Sequence, residues 1–95
     1  MSAYLIIDIK CDDPEPYERY KQLVKPIFEA AGGKYHVRGG GHEILEGDWN
    51  PERIVVMEFP DRAAIHKLFD SAAYAPLKKL RHSSATARII IVDGV

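Results

Sequence analysis

The sequence is poor in the residues that would signal metal, disulfide, nucleotide or membrane chemistry. Cysteine occurs once, at Cys11, so no internal disulfide can form and no Cys-x-x-Cys pair is present to hold a metal or exchange electrons. A reducing, cytoplasmic setting is the expectation. The histidines His36, His42, His66 and His82 fall at no recognised ligand spacing, and His-Glu-x-x-His is absent, so no metal site is expected. Glycines 39 to 41 lack the Gly-Lys-Ser/Thr ending of a phosphate loop, and Ser83-Ser84 sits in no nucleophile elbow; no cofactor is implied. An excess of one charge is missing too. With 13 basic against 14 acidic side chains and a net charge of -1, nothing gathers a polyanion by counterion release, so nucleic acid and anionic membranes are not expected partners. Apolar runs such as Ile89 to Val92 are far too short to span a bilayer, and no basic stretch with a long apolar core marks an export signal.

What is present describes one domain over residues 1–95: 46% of the residues are hydrophobic and 28% charged. A chain this short buries only about 60–65% of the surface that its unfolded form exposes, so its core is thin. Ala3 to Lys10 reads as a strand, and Asp12-Asp13-Pro14 opens a helix whose apolar face is Tyr17, Tyr20, Val24, Ile27, Phe28 and Ala31. Pro26 inside it predicts a kink, and Gly32-Gly33 ends it. Lys34 to Arg38 alternates as a strand that His42 to Glu46 is expected to continue past the glycines. Gly47 to Pro51 is a turn and Arg53 to Phe59 the next strand. Pro60-Asp61 opens a second helix with Ala64, Ile65, Leu68 and Phe69 inward; a short helical segment follows at Ala75 to Arg81, then a last strand from Arg88 to Val92. Strand, helix, strand, strand, helix, strand is the ferredoxin-like α+β arrangement, a four-stranded antiparallel sheet covered by helices on one side.

Three strands are apolar on both faces. Leu5, Ile7 and Ile9 oppose Tyr4 and Ile6; Val55, Met57 and Phe59 oppose Ile54 and Val56; Ile89 and Ile91 oppose Ile90 and Val92. Two helices cover one face only, so the other predicts a homodimer packed through the sheet. An uncovered sheet rich in β-branched residues is the alternative.

Asp13-Pro14 with Tyr17 and Tyr20, Arg38-Gly39-Gly40, Glu46-Gly47-Asp48-Trp49, Pro51, Arg53 and Glu58-Phe59-Pro60 resemble the domain-of-unknown-function 1330 family over nearly the whole chain. The resemblance implies the dimeric α+β barrel architecture, in which ferredoxin-like protomers pack sheet to sheet. It imports no reaction. The wider fold group includes cofactor-independent monooxygenases, dehalogenases, isomerases and ligand-binding regulators, which is fold-level analogy.

Arg38 is the first candidate site residue. A guanidinium followed by Gly39 and Gly40 can meet a carboxylate or phosphate while the backbone approaches the same ligand; the alternative is an ion pair with Glu46 or Glu58. Trp49 either walls a pocket near Arg38 or serves as a lid on the core or part of a dimer contact. By strand parity His36 emerges beside Arg38, as an acid/base or as a structural residue. Asp8 and Glu58, on otherwise apolar strands, are either general bases or partners of Lys10, Arg88 or Arg38. Tyr17, Tyr20 and Tyr74 bring hydroxyls inward, to a ligand or simply to the core.

The expected function is a small homodimer binding a small anionic organic molecule between sheet and helices. His36, Asp8 or Glu58 would serve proton transfer, isomerisation or cofactor-free oxygenation; the alternative is a non-catalytic binding or stress-associated regulatory module. An RNA-recognition domain is rejected because Arg53 to Phe59 offers aliphatics and an acid where exposed aromatics are needed. A metallochaperone is rejected for want of paired cysteines.

Overall fold

Alternation along the first strand sets the frame. In the computed structural model, which describes all 95 residues, β1 (Ala3–Cys11) buries Ala3, Leu5, Ile7 and Ile9 on one side and turns Tyr4, Ile6 and Asp8 to the other. It pairs antiparallel with β3 (Arg53–Phe59) and with β4 (Ala85–Asp93), and β3 pairs with β2 (Lys34–Arg38), giving the order β2-β3-β1-β4. The two central strands carry the most apolar sequence, as expected where both flanks are hydrogen-bonded.

Three helices cover one face: α1 (Pro14–Ala30), α2 (Arg62–Phe69) and α3 (Ala75–Ser84). On α1 the spacing of Tyr17, Tyr20, Val24 and Phe28 makes a single buried stripe. Pro26 lies on its exposed side, where water can satisfy the carbonyl released by the missing N–H, and the helix continues through it to Ala30. Asp61 caps α2 by accepting from the Ala64 N–H at 2.8 Å. Phe28 is the hub of the core, edge-on to Phe59 at 6.3 Å between centroids and stacked on Tyr74 at 6.1 Å. The result is the ferredoxin-like βαββαβ fold with α3 added before the last strand.

Two sequence expectations need correction. Residues 42–46 do not extend β2: its pairing with β3 ends where the Gly39 N–H donates to the Ile54 carbonyl at 2.9 Å, and residues 40–52 form an irregular excursion. Glycines at 39, 40 and 41 make further extended pairing entropically costly. Within β2, register slips between Tyr35 and Val37, so that Tyr35 faces Met57, Val37 faces Val56 and Arg38 faces Val55. This bulge reverses the parity of the strand beyond it. His36 and Arg38 therefore lie on opposite faces of the sheet, not on one.

The face away from the helices carries Tyr4, Ile6, Ile54, Val56, Ile90 and Val92. Ile90 is 57% and Val92 40% exposed.

Candidate functional site

On the helix-covered side, the start of β3 and the end of β2 bring arginines to the rim of the core. Arg53 shares parity with Val55 and Met57, so it enters beneath α1. Arg38, turned to the same side by the bulge, lies with its guanidinium 5.1 Å from the Tyr35 ring centroid. Arg81 arrives from α3, one and two turns beyond Leu77 and Tyr74 on the same buried face, and is 7% exposed. All three border one cleft with Tyr17, Tyr20, Lys21 and Tyr35. Its enclosed volume is about 30 Å³, above what one water needs and enough for a group of a few heavy atoms.

The charge arrangement is one-sided. No aspartate, glutamate or histidine lines the cleft. Arg81 Nε has only the Tyr74 hydroxyl, at 3.3 Å, and Arg53 Nε is buried with no hydrogen-bond partner. Glu18 lies close enough for Arg53 and Arg38 to help hold its carboxyl below the usual range, but it is exposed and its main partner is Lys21, at 2.7 Å. Burial pushes the Tyr17, Tyr20 and Tyr35 phenols up, against the weaker opposing pull of Arg53, Arg81 and Arg38 respectively. For Tyr20, whose hydroxyl is 3.1 Å from that of Tyr74, the neighbouring phenol adds to the rise. All of these phenols are neutral donors near pH 7, and the cations remain uncompensated.

Gly39 makes room for this arrangement. Its φ is +72°, and a Cβ there would overlap the Arg53 guanidinium. Gly40 faces open space.

The opposite face is polar in a different manner. Asp8 accepts from Trp49 Nε1 at 3.0 Å and from Arg88 at 2.7 Å, at the edge of a shallow basin of about 530 Å³ formed with Ile6 and Ile90. Glu58 accepts from Ser2 at 2.7 Å and pairs with His36 Nε2 at 2.8 Å, and these bonds hold its carboxyl below the usual range. Tyr4 lies opposite Glu58 in the sheet, four residues before Asp8, which sets the two carboxylates roughly 13 Å apart along the strand direction.

A family profile described as a domain of unknown function, DUF1330, matches residues 2–95. The chain belongs to the DUF1330 family. No curated protein matches it. Among solved structures, a protein of unknown function from Rhodopseudomonas palustris superposes with a TM-score of 0.82 at 21% identity, over 99% of this chain and 82% of that one. SnoaB, a cofactor-independent oxygenase from Streptomyces nogalater, gives 0.70 at 9% identity over 99% and 93%. A dimeric ferredoxin-like protein of unknown function from Jannaschia gives 0.67 at 9% identity over 99% and 100%. At these identities the likeness shows the fold alone.

In this DUF1330 chain, then, the cleft brings together Arg38, Tyr17 and Tyr20, with Gly39 at its edge and Tyr74 directly beneath. His36, Asp8, Glu58 and Trp49 sit on the far side of the sheet, in two separate clusters. Arg38 makes no ion pair with Glu46 or Glu58; Asp8 takes Arg88. As site residues, Arg53 entered the sequence reading only through the family resemblance, and Arg81 not at all; both stood there as element ends. Both were signalled: Arg53 by period-two parity with Val55, Arg81 by the four-residue step from Leu77.

Proposed function

We propose that this protein acts as a homodimer in which each protomer binds a small organic anion through the arginine cleft between sheet and helices. The observation that carries the reading is that three guanidiniums, one with a buried unpartnered Nε, border a cleft lined by no carboxylate. Buried cations without counterions are costly, and an arriving oxyanion relieves that cost through charge-assisted hydrogen bonds. The enclosed space holds an anionic head group, so the organic body of a guest lies in the mouth beside Arg38, Lys21 and Tyr35. The open face of the sheet supports the dimer: its apolar centre, Ile6, Val56 and Ile90, flanked by the internally paired Asp8–Arg88 and Glu58–His36, is what a second copy would cover. A dimeric protein of the same fold is consistent with it.

Guanidiniums and protonated phenols donate hydrogen bonds and do not abstract protons at neutral pH. The cleft is thus suited to holding an anion or an oxyanion that develops during a reaction. Tight binding without turnover is the reading favoured here, because His36, Asp8 and Glu58 lie across the sheet from the arginines. Titration calorimetry with a panel of small aromatic and aliphatic acids tests it. Saturable binding that Arg53→Met weakens at least tenfold is expected; binding unaffected by Arg53→Met, or no binding of any acid, overturns it.

A further inference from the structure

Resting on that reading, we infer that the anion this cleft takes carries a compact head with two negative charges, a phosphate monoester or a vicinal dicarboxylate, in preference to a monocarboxylate. Three guanidiniums, those of Arg38, Arg53 and Arg81, border the enclosed space beside the Lys21 ammonium, and none of the three has a carboxylate bonded to it. Tyr17, Tyr20 and Tyr35 supply no charge, because burial keeps the phenols protonated. Glu18 offsets part of the cationic field from outside, but it is itself bonded to Lys21. With Lys21 and Glu18 taken as a pair, a monocarboxylate leaves an excess of about two positive charges in a partly desolvated site, whereas a dianion leaves about one.

Geometry points the same way. The cleft is narrow and opens at the side of Arg38, Lys21 and Tyr35, so the charged head enters first and the organic body stays at the mouth. A carboxylate offers two oxygens, enough for one bidentate guanidinium; a phosphoryl group or paired carboxylates offer three or four, enough to share among three.

The test compares benzoate, phthalate and phenyl phosphate by titration calorimetry, with the full-length wild type and with Arg38→Gln, an exposed position whose replacement leaves the core intact. At pH 7.5, at least tenfold tighter binding of phenyl phosphate or phthalate than of benzoate is expected, with the gap reduced in Arg38→Gln. Which dianion binds tighter separates a phosphoryl from a dicarboxylate guest. If phosphoryl, affinity falls toward that of benzoate between pH 7.5 and 5, as the dianionic head takes up one proton near pH 6 and becomes a monoanion. The groups that face the head from α1, β2, β3 and α3 are Lys21, Arg38, Arg53, Arg81 and the three phenols that burial pushes up, with Glu18 at the rim. Benzoate and both dianions binding within threefold of one another would overturn the inference and leave anion binding standing. Failure of all three to bind would overturn both.

Discussion

The two faces of the sheet are unsatisfied in opposite ways. Beneath the helices every large apolar side chain is packed, with Met57 and Tyr74 fully buried, while the arginines lack anions. On the open face each charged group near the centre has found a partner, Asp8 with Arg88 and Glu58 with His36, while Ile90 and Val92 remain in water. One face lacks charge and the other lacks apolar cover. Since unpaired buried cations and exposed contiguous aliphatics are both unfavourable, each deficit specifies the kind of partner that removes it. The covered face calls for a small anion and the open face for a second sheet.

The contrast breaks most sharply on the open face. Ile6 lies directly between Val56 and Ile90 in the sheet, at the middle of the apolar patch. Ile6→Lys buries an unpaired ammonium at the centre of the proposed dimer, at a cost of several kcal/mol. Self-association is expected to weaken by roughly a hundredfold or more. Sedimentation would show monomer at micromolar concentration with unchanged far-ultraviolet circular dichroism; an intact dimer would mean that the two copies meet elsewhere.

On the covered face the expected signs are split. Arg53→Met keeps the stem of the side chain out to the place of Nε and removes a cation that has no partner there. Anion binding is weakened at least tenfold, yet the ligand-free protein is expected to gain about 1 kcal/mol, or roughly 5 °C in Tm. A variant that lost stability along with binding would show that Arg53 already has its counterion. Gly39→Ala acts on the same contact from the backbone. With φ at +72° and the guanidinium where its methyl would go, it is expected to cost about 1 kcal/mol in stability and to weaken anion binding by displacing Arg53. Thermal melts with and without phenyl phosphate read both effects.

Strand order, the helix stripes and the two-sided strands were legible because period-two and period-3.6 patterns are local and survive folding unchanged. The site was only half legible. Tyr17, Tyr20 and Arg38 could be singled out, but pairing Arg38 with His36 assumed unbroken alternation, and a one-residue bulge between Tyr35 and Val37 has no composition signature in this stretch. Of the two readings of Trp49, the pocket wall beside Arg38 fails for a related reason, while a place in a dimer contact is compatible with its position on the open face. Residues 40–52 leave the sheet, and where such an excursion returns depends on the bond to Asp8, a residue 41 positions away. Arg53 and Arg81 obeyed simple parity and were overlooked because a charged residue at an inward position reads as an element end.

The smallest effect belongs to Glu58, and it asks whether acid acts on one face only. Ser2 and His36 hold its carboxyl below the ordinary value of 4.5 when the protein is folded. A group whose folded pKa is depressed contributes stability that is fully present above its unfolded pKa and is lost as pH falls through the folded one. Glu58→Gln removes that contribution at every pH, so the Tm difference between wild type and variant should be largest near neutrality and close as pH falls below about 4.5. Asp93, held low by Arg62, titrates in the same window but is present in both proteins and cancels from the difference. The arginine cleft has no carboxylate in its lining, so sulfate, which remains a dianion throughout, should stabilise both proteins equally at pH 7 and pH 4. A Tm gap that stayed constant with pH would remove the charge of Glu58 from the account of the open face. A sulfate effect that vanished at pH 4 would mean that an acid within reach of the cleft, Glu18 foremost, supports the arginines.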